Sequence, residues 1–350
     1  MTTAPLLVTM GDACGVGPEV VLRALGADDA APWFGAALVV GDIGVMRRAA
    51  ALLPDAERRP LALIEAPAEL EHCPPRCIAV WQPHGLPPGL DALPWGRVDA
   101  RAGAAAAACV EAAVAALRRG EGAAIVTAPL HKEALAAAGV PHPGHTEMLQ
   151  ALATRGGAPP PVRMMLANDE IKVVLVTIHM ALRDAIDAVT FDAVLHTLRL
   201  AHAAAARWGQ PRPRIAVAGL NPHAGEGGLF GDEELRVIAP AVAAARAEGV
   251  DAQGPFPPDT VFMRARRGAF DLVVAMTHDH GLIPVKYLGV EHGVNVTLGL
   301  PFVRTSPDHG TAFDLAGRSG PDGRGLASPH SLIAAIRQAD ALSAAGWRPS

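Results

Sequence analysis

The stretch Leu272-Val-Val-Ala-Met-Thr-His278-Asp279-His280-Gly281 passes from a β-branched run into polar residues and then a glycine. A short apolar run closed by such a turn reads as a buried strand. The pattern recurs in Val173-Val-Leu-Val-Thr-Ile-His179-Met180 and in Ile215-Ala-Val-Ala-Gly-Leu-Asn221-Pro-His223-Ala-Gly-Glu226-Gly-Gly228. Each segment predicts a strand with a histidine just past its carboxyl end. Open α/β sheets bind ligands in the crevice beyond that edge, and three imidazoles there can hold one divalent metal ion with coordination positions left open for chemistry. Any one of fourteen histidines reads as readily as a hydrogen-bonded core or surface residue. Three at equivalent strand ends, two of them beside further polar residues (Asn221 and Glu226, Asp279 and His280), carry the metal reading further.

Outward from these segments the chain alternates strands and helices. Strands are predicted at 6–10, 36–41, 61–64 and 123–127, and near 172–178, 214–219, 271–276 and 294–297. Helices are predicted at 18–25, 43–53, 101–119 and 131–138, and near 191–208, 232–248 and 329–345. Such alternation predicts an α/β fold with parallel sheets and helices on both faces. At 350 residues, half of them apolar, the chain exceeds one ordinary core and suits two domains. Pro-rich stretches at 54–60, 83–94 and 157–162 are loops, the last a margin between lobes.

A net charge of −5 with basic residues scattered singly or in pairs gives no footprint for nucleic acid. A small anionic ligand fits better. The four cysteines (Cys14, Cys73, Cys77, Cys109) lack zinc-ribbon spacing and read as structural. The start MTTAPLLVTMGD has no basic segment followed by a long apolar one. The most apolar stretch, residues 102–120, carries Glu111 and reads as an Ala-rich helix. A soluble, cytoplasmic protein without a membrane partner is expected.

Several polar constellations follow predicted strands. In Gly11-Asp12-Ala13-Cys14-Gly15-Val16-Gly17-Pro18-Glu19 the glycines permit a tight turn and Pro18 suits a helix start. Its backbone N–H groups can hold an anion, but no third glycine completes a dinucleotide fingerprint. Thr127-Ala-Pro-Leu-His131-Lys132-Glu133 follows another strand, and Gly144-His145-Thr146-Glu147 leads into a helix. His145 and Thr146 can both donate to a phosphate or carboxylate; Thr146 reads equally as the cap of a helix beginning near Glu147. Lys286, Asn295 and Arg304 sit in or beside the strand-like stretches PVKYLG, GVNVTLG and FVRTS. Unless these are a solvated face, a Lys and an Arg converging on one cleft suggest a phosphorylated substrate. The polar loop Ser306–Gly317 has the composition of loops that touch ligands.

The motifs GDACGVGPE (11–19), TAPLHKEAL (127–135), GHTE (144–147), TIHMALRDA (177–185), GLNPHAGEGGLFGDEE (219–234), THDHGLIPVKYLG (277–289) and GVNVTLGLPFVRTSPDHGTAFDLAG (293–317) together resemble the 4-hydroxythreonine-4-phosphate dehydrogenase family of vitamin B6 synthesis. The resemblance runs from Val8 to about Gly317. HGTAFDLAG is also similar to the cofactor loop of isopropylmalate and isocitrate dehydrogenases. The resemblance implies a two-lobed fold of that kind with mostly parallel sheets and a cleft between lobes, 1–126 with 281–350 forming the cofactor-side domain and 127–280 the substrate, metal and dimerisation domain.

The resemblance further implies that His179, His223 and His278 bind one divalent ion per subunit (zinc, magnesium or cobalt), that His145, Thr146, Lys286, Asn295 and Arg304 contact substrate, and that Asp308, His309, Gly310, Thr311, Ala312 and Asp314 contact NAD or NADP. Lys286 or Asp259 would take the proton. A homodimer with its active site at the subunit interface, drawing histidines from both subunits, is implied too. The reaction would be oxidation of 4-phosphooxy-L-threonine to 2-amino-3-oxo-4-phosphooxybutanoate, which decarboxylates to 3-amino-2-oxopropyl phosphate. Relatives oxidise 4-phospho-threonate, 4-phospho-erythronate or cyclic dihydrodiol carboxylates. A metal-dependent hydrolase or lyase without nicotinamide, and a non-catalytic binding protein, are the readings from other classes. This chain departs from the family's usual GDPAG at Gly11–Gly15 and from its usual YHDQG at Thr277–Gly281, where His280 places a second imidazole beside a metal ligand.

Overall fold

A computed structural model of the chain describes residues 4–27, 33, 35–154, 157–207, 210–289, 293–320 and 325–345. In chain order the elements begin β1 (Leu6–Thr9), α1 (Gly17–Gly26), β2 (Ala37–Val40), α2 (Ile43–Ala50), β3 (Leu61–Ile64), β4 (Ile78–Trp81), α3 (Ala100–Arg119), β5 (Ala124–Thr127), α4 (Lys132–Ala137) and α5 (His145–Ala153). They continue with β6 (Arg163–Ala167), β7 (Lys172–Leu175), α6 (Leu182–Ala188), α7 (Phe191–Arg207), β8 (Ile215–Ala218), α8 (Ala239–Ala247), β9 (Ala252–Phe256), α9 (Pro258–Arg266), β10 (Leu272–Ala275), α10 (His278–Tyr287), β11 (Val294–Leu298), β12 (Val303–Pro307) and α11 (His330–Ala344). The end of the helix expected at 191–208 falls on position 208, outside the described residues. The α/β alternation is as expected, and FVRTS falls on β12, while β4, β6, β9, α6 and α9 carry too little periodicity to stand out.

The chain divides into two units, residues 1–160 with 300–350, and residues 161–299. In the first unit the strands lie in the order β3-β4-β2-β1-β5-β12, all parallel. LLVT, ALVV, IAVW and AIVT are buried at every position, the continuous apolar run that a sheet covered on both faces requires. The chain moves outward from β1 through β2 on one side and returns at β5 on the other. The carboxyl ends of β1 and β5 therefore flank a topological switch point, where open sheets bind ligands. Helix α3 is long and apolar enough to cross a membrane, yet its small-residue face is buried in this unit. Asp99 caps its start and left-handed Gly120 closes its end.

In the second unit the order is β11-β6-β7-β10-β8-β9. β7, β10, β8 and β9 run parallel, whereas β6 is antiparallel to both β7 and β11. The reversal is a tight turn in which Asn168 Oδ1 accepts the N–H groups of Glu170 and Ile171. Leu166, Val173, Leu175, Ala216, Val273 and Ala275 join Val261, Phe262, Leu282 and Val285 in one core.

The unit boundaries correct the expected 126/127 and 280/281. Residues 127–160 stay with the first unit because α4 packs on α3, where Gly103 admits the Ala134 carbonyl, and because Arg118 reaches the carbonyls of Leu152 and Thr154. Residues 281–299 stay with the second because β11 pairs with β6 along five residues. The Pro-rich 157–162 stretch does mark the margin. PVKYLG is likewise no strand: Pro284 and Lys286 lie inside α10, since the turn bonds that begin at Thr277 continue through it.

Candidate active site

In the second unit His179, His278, His223 and Asp259 follow β7, β10, β8 and β9, so all four stand at the carboxyl edge of the parallel strands. β7 ends at Leu175, earlier than expected, and His179 takes a left-handed backbone (φ 40°). The His179 and His278 ring centroids are 5.5 Å apart with the rings tilted by 47°. Two imidazoles sharing one tetrahedral ion, each nitrogen about 2 Å from it, would place their centroids roughly 5 Å apart, so this pair fits a common cation. His278 Nδ1 lies 2.7 Å from Asp279 Oδ1. A donating Nδ1–H would leave Nε2 as the ligating nitrogen. His223 (φ 54°) packs near Phe230 at 6.1 Å. Among the described residues no three His, Cys, Asp or Glu side chains group as one metal site; within one chain His179 and His278 approach each other and His223 does not join them.

Lys286 and Asn295 occupy the opposite end of the same strands. Eight residues of helix separate His278 from Lys286, about 12 Å along the axis. The Val285 carbonyl accepts Asn168 Nδ2 at the β6–β7 turn, which fixes the direction of α10. Asn295 stands level with Leu166, which pairs with Val173 near the start of β7. Its Oδ1 is buried with no hydrogen-bond partner among the described residues. A buried acceptor of this kind is costly unless a ligand or water fills it. His280, half-buried in the first turn of α10, has its pKa lowered by burial against the pull of Asp279.

In the first unit Arg304 on β12 is 4% exposed. Its Nε and Nη2 donate to Thr127 Oγ1 at 3.1 and 2.8 Å. Burial brings the guanidinium down to about 10, so it remains a cation at neutral pH. His145 opens α5, and burial together with the Arg304 charge holds its pKa well below the usual imidazole range. Neutral His145 then offers hydrogen bonds rather than charge, and its buried Nε2 has no partner among the described residues. A fixed cation beside a neutral donor suits an oxyanion. Thr146 does not cap α5; Gly144 precedes the helix, which starts at His145 without a side-chain cap. Thr127, which orients Arg304, escaped sequence reasoning except as a polar residue after a strand.

The loop after β12 is fixed at some points and open at others. Asp308 N–H donates to Ser331 Oγ at 3.1 Å, the Thr311 carbonyl accepts Val16 N–H at 3.0 Å, and Phe313 stacks on His131 with centroids 4.5 Å apart. His309 Nδ1 lies 3.0 Å from the carbonyl of Gly310. Gly310 is exposed with open space beside it, Ala312 is left-handed and Asp314 is exposed. This is an anchored loop with a bare backbone stretch, as close approach of a nucleotide requires. In the glycine turn 11–17 the Cys14, Gly15 and Val16 N–H groups already donate to Asp12 Oδ1, the Asp12 carbonyl and the Thr311 carbonyl, so these three are not free for an anion. Asp12 is fully buried, and burial raises its pKa despite those bonds.

A parallel unit with an anchored glycine loop and a buried arginine, together with a second unit that brings imidazoles to a strand edge, makes a two-unit α/β protein, and its relatives make it an oxidoreductase. Residues 34–339 match the family described as pyridoxal phosphate biosynthetic protein PdxA, and the chain belongs to that family. It is 54% identical over 98% of its length, and 96% of the relative's, to 4-hydroxythreonine-4-phosphate dehydrogenase of Beijerinckia indica. It is 46% identical to D-threonate 4-phosphate dehydrogenase of Salmonella typhimurium, over 90% of this chain and 94% of that one. The crystal structure of 4-hydroxythreonine-4-phosphate dehydrogenase from Klebsiella pneumoniae superposes with a TM-score of 0.85 at 44% identity, covering 98% of each chain. A terephthalate 1,2-cis-dihydrodiol dehydrogenase from Burkholderia xenovorans gives 0.65 at 29% identity, covering 97% of this chain and 98% of that one.

Proposed function

We propose that the chain oxidises 4-phosphooxy-L-threonine with NAD or NADP to 2-amino-3-oxo-4-phosphooxybutanoate, which loses CO2 to give 3-amino-2-oxopropyl phosphate, in cytoplasmic pyridoxal phosphate synthesis. The observation that carries the reading is buried Arg304 with His145 near it, a cation beside a neutral donor, in a chain 54% identical to a dehydrogenase named for this substrate. Arg304, His145 and Thr146 bind the phosphoester, with Lys286 and Asn295 as further substrate contacts. The loop Asp308, His309, Gly310, Thr311, Ala312 and Asp314 receives the dinucleotide.

His179 and His278 hold a divalent ion (zinc, magnesium or cobalt) with His223 as third ligand; when bound, the ion supplies Lewis-acid polarisation of the substrate hydroxyl. Asp279 keeps His278 in the ligating tautomer. Asp259, exposed in the first turn of α9 at the same strand edge, or Lys286 would take the hydroxyl proton. A homodimer joining the edge of one chain to its partner supplies both His223 and the distal contacts. The separation of the histidines from Lys286 and Asn295 within one unit supports this arrangement.

A second reading, oxidation of D-threonate 4-phosphate, is favoured by the 46% identical Salmonella relative of that name. Purified protein supplied with either phosphorylated acid, each with NAD and with NADP, decides between them through kcat/KM. Turnover of neither substrate refutes both readings. Full activity of a metal-stripped His223→Ala variant refutes the metal role.

A further inference from the structure

The loop that presents His223 has a backbone that its own residues do not favour. His223, Ala224, Gly225, Glu226 and Gly227 all have positive φ, at 54°, 52°, 78°, 43° and 66°. Three of these residues carry a Cβ, for which the left-handed region is costly and persists only when the surroundings impose it.

The surroundings centre on Glu234, which is 2% exposed. Its Oε1 accepts the backbone N–H groups of Leu220 at 2.7 Å and Asn221 at 2.8 Å. Its Oε2 accepts Asn221 Nδ2 at 2.9 Å, and the same amide donates to Glu233 Oε2 at 2.7 Å. Two glycines leave room for the carboxylate. A Cβ on Gly219 would come within 2.9 Å of Glu234 Oε1, and one on Gly225 within 2.8 Å of Oε2. Glu234 also opens a π-helical turn, Glu234–Ile238, a widened geometry that collects at functional sites. One buried carboxylate thus gathers both strands of the loop at its neck, and the left-handed run projects beyond it.

We propose that Glu234 is the positioning residue for His223: its carboxylate fixes the left-handed loop so that the imidazole is presented as a metal ligand. Gly219 and Gly225 are glycine because the carboxylate occupies the space of their side chains. The proposal rests on the reading of His223 as a ligand, so its test must separate the two. The clamp works through reach, since the acceptor oxygens must arrive at the Leu220 and Asn221 N–H groups. Glu234→Gln keeps the reach and one acceptor oxygen but loses the charge, whereas Glu234→Asp keeps the charge and loses the reach.

The experiment titrates the intact full-length protein with Co2+ by calorimetry and follows amide hydrogen exchange in peptides covering 219–230. Wild type, Glu234→Ala, Glu234→Gln, Glu234→Asp and His223→Ala are compared. Glu234→Ala and Glu234→Asp are expected to weaken Co2+ binding about 10–100-fold and to speed exchange across 220–228 while other peptides keep wild-type rates. Glu234→Gln is expected to retain most of the affinity and protection. Wild-type affinity and exchange in Glu234→Ala would overturn the clamp, as would loss in Glu234→Gln with retention in Glu234→Asp. If Glu234→Ala does not fold, the Gln and Asp pair decides. Tight Co2+ binding by His223→Ala would refute the ligand reading alone, because the exchange pattern reports the clamp separately.

Discussion

Arg304 and Glu19 are both buried charges of the first unit, and they differ in what they cost. Arg304 stays protonated at neutral pH, oriented by Thr127. Arg304→Lys keeps a charge but loses the forked donor set. KM for the phosphorylated substrate is expected to rise roughly 10–100-fold, the value of one to two charge-assisted hydrogen bonds, with a smaller change in kcat. Steady-state kinetics check this, and an unchanged KM removes Arg304 from the substrate site. Glu19, at 1% exposure, is raised to about 7 by burial, which the Arg23 guanidinium 3.7 Å away offsets only in part. Arg23 meanwhile donates to the carbonyls of Gly325 and Ala327. The folded state therefore holds a proton that the unfolded chain releases near its ordinary value of 4.5. Stability is fully present below that value, declines as pH rises toward 7 and levels off above it. The loss amounts to about 3 kcal/mol at most. Glu19→Gln should match wild type in urea unfolding at pH 4 and exceed it at pH 8; equal stability at both would show that Glu19 is ionised in the fold.

At the scale of elements, short strand-to-helix connections place nearly every candidate residue. Helix α10 begins directly at His278 and carries Lys286 in its last turn, so one element sends two candidate residues to opposite ends of a sheet. PVKYLG is β-rich in composition and still helical, because local propensity is a weak prior beside tertiary packing. The same reason hid β6 and β9, whose exposed or half-buried positions blur the alternation. Where α3 meets α4, Gly103 tests the packing directly. Gly103→Ala would gain about 1 kcal/mol of helix propensity, but the new methyl would fall on the Ala134 carbonyl and the Leu135 N–H. Overpacking against backbone costs about 1–3 kcal/mol, so net destabilisation is expected. A lower urea midpoint with an unchanged slope is the measurement, and a higher one would show that α4 yields freely.

At the scale of the whole molecule, exposed apolar side chains are unevenly shared. Among the described residues Leu63, Val98 and Leu326 are the large exposed hydrophobics of the first unit. The second has ten, including Met180, Leu182, Leu229, Phe230, Ile283 and Tyr287, the last 90% exposed. Met180 adjoins His179, Phe230 lies against His223 and Ile283 rides on the helix of His278. The proposed homodimer would cover such apolar residues, and a second copy of the chain is the occupant that would complete the proposed ligand set. Light scattering is expected to give a dimer. Ile283→Asp with Tyr287→Asp should shift it to monomer and abolish turnover; a fully active monomer would exclude a shared site. Chelation should stop turnover and leave the far-ultraviolet circular dichroism unchanged, because an ion on an open edge adds little to a core already closed by Leu166, Val173, Val273 and their neighbours.

The sequence by itself determined the α/β alternation, the strands that precede His179, His223 and His278, and the family. Each is written locally, in runs of β-branched residues and in motifs that stay contiguous along the chain. Only the tertiary structure decided that residues 127–160 belong with the first unit and that Thr127 holds Arg304. It also decided that His179 and His278 meet while Lys286 and Asn295 stand at the other strand end, and that Glu234 grips the loop of His223. Those relations join residues far apart in the chain, and they depend on strand order, on helix direction and on where a missing Cβ leaves room, none of which a local pattern encodes.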